Sequence, residues 1–146
     1  MRCEVTLALS NLTIKMALLG LTRVAIASRW AAEVNDALAA YLEDGGLQVV
    51  GVTTRGQWAR EAHDMTLEQG MQTALDIARE AARSPGAEAV LAPGGATLTL
   101  HLIPAIEQEF GLPAITNLTA EVWQGLVHTR AIEPVQGWGK LLASAG

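Results

Sequence analysis

The chain has 146 residues, half of them hydrophobic and 17% charged, so it has enough apolar material for one core and too little charge for a disordered protein. Its net charge of −5, without a Lys/Arg cluster, argues against a nucleic-acid partner or an anionic membrane surface. The single cysteine, Cys3, excludes an internal disulfide framework and a cysteine-based metal site, and it favours a reducing cytoplasm.

The N-terminal segment has a weak pattern. Residues 1–10 show no clear period and are expected to be irregular. A short helix is expected from Ser10 or Asn11 to Gly20, with an apolar stripe of Leu12, Met16 and Leu19. Polar residues interrupt the apolar stretch that a secretory signal needs, and no apolar run approaches the roughly 20 residues of a membrane-spanning helix.

Strand-like and helix-like segments then alternate along the chain. Short apolar runs predict strands at 23–27, 47–52, 87–91 and 112–116. The helical period predicts helices at 33–44, from Thr66 to the Ser84-Pro-Gly86 stop, at 98–110 with Pro104 inside, and after a Thr119 cap. Residues 53–64 are expected to form a polar loop, and residues 132–142 to pack back on the body.

This alternation predicts βαβ units, and therefore an α/β fold. We expect a three-layer sandwich in which a four-stranded parallel sheet carries helices on both faces, with the flavodoxin-like order as the simplest topology. Residues 11–146 are expected to form this single domain after the irregular residues 1–10.

Ligands of such sheets bind beyond the carboxyl ends of the strands. The rule selects four segments: Ser28-Arg29-Trp30, Thr53-Thr54-Arg55, Pro93-Gly94-Gly95-Ala96-Thr97 and Thr116-Asn117-Leu118-Thr119. These segments are the candidate site.

The loop Gly94-Gly95-Ala96-Thr97 carries the strongest signal, because two glycines expose backbone N–H groups where a helix begins. That arrangement favours a carboxylate or phosphate, and Thr97 and Thr99 offer hydroxyl donors. The alternative is a tight turn that needs glycine for its backbone angles alone. The spacing matches neither a dinucleotide fingerprint nor a P-loop.

The other candidates also allow two interpretations. Ser28 either caps a helix or contacts a ligand, and Arg29 is either a solvated charge or the partner of a substrate carboxylate. Trp30 is either a lid over the site or a core or interface anchor. Thr116-Asn117 either caps the next helix or contributes to the site.

The histidines are weaker candidates. His63 and Asp64 are a candidate acid/base pair, although adjacent residues rarely face one another and a surface loop is the alternative. His101 and His128 fit the core or the solvent face of helices. No metal site and no cofactor are expected.

Three blocks together resemble the Asp/Glu racemase superfamily, in its maleate cis-trans isomerase and arylmalonate decarboxylase branch. They are "LLGLTRVAIASRWAAEVNDALAAYLEDGGLQVV", "GAEAVLAPGGATLTLHLIPAIEQEFGLPAIT" and "IEPVQGWGKLLA". The resemblance spans about residues 17–143 and corresponds to the second of the family's two α/β halves. It implies cofactor-free chemistry on a carboxylate substrate in the cleft between two halves, where amides and hydroxyls hold the carboxylate and a cysteine reacts.

The resemblance also shows what this chain lacks. Gly94 stands at the family's cysteine, with Gly95 and Ala96 at the following anion-binding positions; a shift by one residue places Pro93 there instead. Trp30 stands where the family has a substrate-binding tyrosine, whereas Ser28 and Asn35 match the family pattern. The catalytic residue is therefore unknown.

Three functions stay open from the sequence. The chain binds a small carboxylate or other anion with little activity; or it is an isomerase or decarboxylase completed by a homo-oligomer or a separate first-half chain; or it is a non-catalytic interaction module. In the second case, His63, Asp64 or a bound water would transfer the proton.

Overall fold

The computed structural model describes residues 16, 19–57, 59–94, 98–129 and 133–144. The strands are β1 (Arg23–Ala27), β2 (Gln48–Thr53), β3 (Ala89–Ala92) and β4 (Ala114–Thr116). The helices are α1 (Ala32–Asp44), α2 (Ala59–His63), α3 (Leu67–Ala82), α4 (Leu102–Phe110), α5 (Asn117–His128) and α6 (Lys140–Ala143). The predicted irregular N-terminus and most of the predicted first helix lie outside the described residues; Met16, which is described, is fully buried.

The four strands form one parallel sheet in the order β2-β1-β3-β4. Alternate residues of each strand face opposite sides, so Val24 and Ile26 join one core cluster and Ala25 and Ala27 join the other. The first cluster contains buried residues of α1, α5 and α6, and the second contains those of α3 and α4. The predicted three-layer sandwich with a flavodoxin-like parallel sheet is therefore confirmed.

The pairing of β1 with β2 is irregular at one point. Val24 pairs with Val49 and Ala25 pairs with Gly51, so Val50 is an extra residue on β2. β2 is one of the two edge strands of the sheet, and it is only partly covered. The extra residue is a β-bulge on that edge.

The start of α5 differs from the prediction. α5 begins at Asn117, three residues earlier than expected, because the Thr116 hydroxyl accepts a hydrogen bond from the backbone N–H of Thr119. Thr119 is thus the third residue of the helix and completes the capping box. The last residue of β4 is itself the cap, so the predicted Thr119 cap was wrong and the interpretation of Thr116 as a cap is confirmed. α3 starts as predicted, with Thr66 and Gln69 as its capping box.

The helix predicted at 98–110 is shorter and begins at Leu102. Pro104 explains the difference, because it has no N–H and its ring clashes with the carbonyl four residues earlier. Pro104 lies in the first turn of α4, where backbone N–H groups have no partner within the helix, so the proline costs no helical hydrogen bond there. Leu98 consequently lies outside the helix and is exposed.

Other expectations for surface and loop residues were wrong in part. The predicted polar loop at 53–64 contains the short helix α2, which adds one turn before α3. In α1, Leu38, Leu42 and the polar Asn35 are buried, whereas Val34 and Tyr41 are exposed. The predicted return of the C-terminal segment is confirmed by the buried Leu141 and Leu142 of α6.

None of the helices in the described ranges has the length and apolar character needed to cross a membrane. The same ranges hold no group of three or more His, Cys, Asp or Glu side chains arranged for a metal ion.

Glu88, directly before β3, forms hydrogen bonds with the start of β1. Its Oε2 accepts hydrogen bonds from the backbone N–H groups of Thr22 (2.8 Å) and Arg23 (3.0 Å), and its Oε1 pairs with the Arg23 guanidinium. The two backbone N–H groups, with a smaller contribution from the Arg23 charge, hold the pKa of the Glu88 carboxyl below its usual value.

The Glu88→Gln variant is expected to be less stable than the wild type at neutral pH. Because the folded-state pKa is depressed, the carboxylate stabilises the fold above its unfolded pKa of about 4.3, and this contribution is lost as the pH falls through the folded value. Urea unfolding at several pH values measures this contribution. The difference in free energy of unfolding between wild type and Glu88→Gln should shrink on acidification below about pH 4.3. Glu43→Gln, at an exposed position of α1, is the control; an equal and pH-independent loss in both variants would contradict the assignment.

Candidate functional site

The described residues of the four candidate segments lie at the carboxyl end of the sheet, because all four strands are parallel and each segment lies at or just after the end of its strand. Ser28, Arg29 and Trp30 follow β1, and Pro93 and Gly94 follow β3. The predicted binding residues Gly95, Ala96 and Thr97 lie outside the described residues, so their role stays a prediction.

Ser28 and Asn35 form a buried network that holds the β1 loop against α1. The Ser28 hydroxyl donates to Asn35 Oδ1 at 2.5 Å and accepts from the Trp30 N–H, while Asn35 Nδ2 donates to the carbonyls of Trp30 (2.9 Å) and Ala31 (3.1 Å). The expectation that Ser28 caps a helix was wrong, because the N-cap of α1 is Ala31, which has no hydroxyl. The Ser28 hydroxyl proton is committed to Asn35, so Ser28 shapes the loop.

The Trp30 side chain packs against Gly94, so the loop after β1 contacts the loop after β3. A Cβ built on Gly94 would lie 3.3 Å from Cζ2 and 3.5 Å from Nε1 of the indole, and the φ of Gly94 is +102°, where residues with side chains are rarely found. Trp30 also packs against the α1/α5 side of the core. A side chain at position 94 therefore meets both a strained backbone and the indole.

Arg29 is buried, with only 8% of its surface exposed, so the alternative of a solvated charge was wrong. Its Nε donates to Gln57 Oε1 at 2.9 Å and its Nη2 lies 2.6 Å from Met65 Sδ. Its Nη1 is buried without a hydrogen-bond partner in the described structure. Burial lowers the pKa of the guanidinium from its usual value, which disfavours the charge without removing it at neutral pH.

Two cavities lie near this guanidinium: Arg29 lines the first, and the second is reached through Met65 and Gly70, which neighbour the guanidinium. One, of about 20 Å³, is lined by Ser28, Arg29, Pro93 and Thr99 together with apolar residues, and it has room for one water-sized group. The other, of about 180 Å³, is lined by residues that include His63, Met65, Thr66 and Gly70. Met65 and Gly70 were not among the sequence candidates, although a glycine inside a helical pattern is a recognised sign of close packing.

His63 and Asp64 lie at the end of α2 and just beyond it, and both are exposed. His63 lines the larger cavity. The described contacts include no hydrogen bond between their two side chains, and Asp64 is held through its backbone N–H, which donates to the Arg60 carbonyl. As candidate acid and base they therefore lie near the cavity without forming a pair, and this role stays a prediction.

His101 contacts the neighbouring helix. Its Nε2 lies 2.9 Å from the carbonyl oxygen of Met71, so the ring links the start of α4 to α3. It also lines a largely apolar cavity of about 370 Å³ along the outside of α3, together with Leu67, Met71 and Leu75. This placement fits the structural role expected for His101. His128 is the last residue of α5.

The described part of this edge combines a buried cation with a small cavity that Thr99 also lines, an arrangement that suits an anion. The cysteine of the chain, Cys3, lies outside the described residues, and the described part of the edge contributes no thiol. The arrangement supports binding and charge stabilisation more directly than nucleophilic attack.

Comparison with known proteins gives a consistent result. Residues 5–142 match the family model described as arylmalonate decarboxylase. The arylmalonate decarboxylase of Bordetella bronchiseptica is 30% identical over 109 residues, which are 74% of this chain and 44% of that protein. The chain thus spans about half the length of the relative that it matches.

Solved structures show the same relationship. A crystal structure of arylmalonate decarboxylase has a TM-score of 0.78 and 25% identity, covering 92% of this chain and 59% of that chain. A maleate isomerase from Pseudomonas putida S16, solved with maleate, has a TM-score of 0.80 and 18% identity, covering 94% of this chain and 54% of that chain. At 18% identity, the comparison with the maleate isomerase shows a similar fold and no more than that.

Proposed function

Because this chain belongs to the arylmalonate decarboxylase family, we propose that it binds a small carboxylate at the carboxyl edge of its sheet. We further propose that, alone, it has little or no thiol-dependent decarboxylase or isomerase activity. The buried guanidinium of Arg29 at this edge carries the first part of the proposal.

Several features of the edge support anion binding. Arg29 supplies a positive charge in a poorly solvated place, where an electrostatic interaction is stronger than in water. The N-terminus of α1 follows directly and has no side-chain cap, so its partial positive charge faces the same region. The loop from Gly94 to Thr97 adds backbone N–H groups in the sequence-based prediction. The related maleate isomerase was solved with maleate, a small dicarboxylate.

Gly94 supports the second part of the proposal. The family resemblance places it at the reactive cysteine, and both its φ and the overlying Trp30 indole disfavour any side chain there. Without a thiol, proton transfer would fall to His63, Asp64 or a bound water, and the first two are exposed and do not hydrogen-bond to each other in the described structure.

A second function is favoured by one observation: the apolar side chains of Leu67 and Leu98, which line the 180 Å³ cavity, are 65% and 57% exposed. In this alternative a second copy, or a separate chain equivalent to the rest of the relatives' length, covers that surface and completes an isomerase or decarboxylase site.

Calorimetric titration with phenylmalonate and with maleate tests the binding proposal. We expect a Kd of about 1 mM, with no heat of binding for the corresponding diamides, which lack the charge. Carbon dioxide release from phenylmalonate and fumarate formation from maleate should stay at the uncatalysed rate. Absence of saturable binding refutes the binding proposal, and turnover by the isolated chain refutes the proposed inactivity.

The solution mass, measured by light scattering, tests the alternative. A dimer that loses its association on Leu67→Gln and Leu98→Gln substitution, together with turnover, would favour the completed enzyme. A stable complex without carboxylate binding would favour an interaction module.

A further inference from the structure

Arg29 is unusual among the arginines of this chain. Three exposed arginines each pair with a carboxylate: Arg23 with Glu88, Arg55 with Glu80 and Arg79 with Glu109. The buried Arg29 contacts only neutral groups in the described structure, namely the Gln57 amide and the Met65 thioether. A buried charge without a counter-charge is costly, and a bound anion would offset that cost.

The donors left on the guanidinium indicate what the counter-charge is. Nε is used by Gln57, whereas Nη1 has no partner and Nη2 faces a thioether, which is a weak acceptor. Nη1 and Nη2 together form the end of the guanidinium fork, whose spacing matches the two oxygens of a carboxylate. A carboxylate replacing the Met65 sulfur would therefore satisfy both nitrogens.

The backbone of α3 leaves room at this fork. A Cβ built on Gly70 would have Arg29 Nη1, at 3.9 Å, as its nearest neighbour, and no other atom is recorded within 4 Å. Gly70 and Met65 both line the 180 Å³ cavity. A small ligand in that cavity would thus reach the guanidinium past two residues that are small or flexible.

We propose that Arg29 is the anchor for one carboxylate of the ligand, which it binds end-on through Nη1 and Nη2 from the cavity lined by Met65 and Gly70. This inference rests on the proposed function and names its ligand class: small carboxylic acids whose charged end enters beside α3. The charge that stabilises the bound carboxylate then comes from a side chain following β1, in addition to the amides predicted after β3.

One internal competitor exists. Glu4 is the one acidic residue outside the described ranges, and it would neutralise Arg29 if its carboxylate reached the fork. In that case Glu4→Gln would strengthen the binding of an added carboxylate, whereas our proposal expects no change.

Titration of malonate and phenylmalonate into wild type and Arg29→Gln tests the proposal. We expect affinity to fall at least tenfold in Arg29→Gln and to be unchanged in Arg79→Gln, which removes a paired arginine of α3 outside the four candidate segments. Arg29→Lys keeps the charge but loses the two parallel N–H donors, so its affinity should lie between that of the wild type and that of Arg29→Gln. Equal binding by wild type and Arg29→Gln refutes the Arg29 anchor and leaves the proposed function intact; no binding by the wild type refutes both.

Two further measurements separate binding from folding. Arg29→Gln should be at least as stable as the ligand-free wild type, because it removes an uncompensated charge, and malonate should raise the Tm of the wild type alone. If Arg29→Gln does not fold, the Arg29 side-chain Nε–H resonance of the wild type provides the test. It should shift saturably with malonate and stay fixed with malonamide; an unchanged resonance at saturating malonate refutes the anchor.

Discussion

Replacement of Gly139 by alanine is expected to lower the free energy of unfolding by about 3 kcal/mol, since two independent penalties add. Gly139 precedes α6 with φ 94° and ψ 163°, a region that is nearly restricted to glycine. A Cβ there would lie 2.6 Å from Cγ2 of Ile103, a fully buried residue of α4, and 3.2 Å from Glu107 Oε1. The new methyl group would push α6 away from α4.

This loss of stability would show as a fall in Tm of roughly 10 °C and as a lower urea midpoint. Gly137→Ala is the matched control, because Gly137 also has a positive φ, 86°, but no atom lies within 4 Å of its missing Cβ. It should lose about 1 kcal/mol from backbone strain alone. Similar losses in the two variants would show that the contact with Ile103 does not matter.

The second large effect is expected at Gly94, where the family resemblance places the cysteine. Gly94→Cys, made in a Cys3→Ser background, should destabilise the fold by about 2 kcal/mol, because of the positive φ and the contact with the indole. It should not create decarboxylase activity, since the thiol is pressed against Trp30. Trp30→Tyr introduces a smaller ring, so the double variant should recover about 1 kcal/mol of the lost free energy of unfolding. This recovery is the coupling energy between positions 30 and 94.

Urea unfolding of the four proteins gives this coupling energy, and alkylation with iodoacetamide reports access to the new thiol. The thiol of the double variant should react at least about tenfold faster than that of Gly94→Cys. Additive effects on stability, or equal alkylation rates, would mean that Trp30 does not restrict position 94. The experiment does not depend on whether a further chain completes the site.

The order of strands and helices was predictable because each element has a clear period and a clear end. Strand 23–27 was predicted to the residue, and α3 ends with its predicted Ser84-Pro-Gly86 stop. Element starts were less predictable where one local interaction decides them. The Thr116 hydroxyl starts α5 early, and Pro104 permits α4 only from Leu102 onward.

The candidate site was predictable as a place but not in its contacts. The rule for parallel sheets selected the loops after β1 and β3. The comparisons confirm the family resemblance, whereas its placement of the family's cysteine at Gly94 stays a prediction. The burial of Arg29 depends on Gln57 and Met65, which are 28 and 36 residues away along the chain. No local pattern around Arg29 reports such distant partners, so its environment became visible only in the folded structure.

The extra residue on β2 has a consequence for how copies of this protein meet. An exposed edge strand offers unpaired N–H and C=O groups to a strand of another molecule, which is a common start of polymerisation. At Val50 the repeat of those groups is broken, so an incoming strand would keep its hydrogen-bond spacing on only one side of that residue. The irregular edge therefore disfavours edge-to-edge pairing with the sheet of another molecule at high concentration.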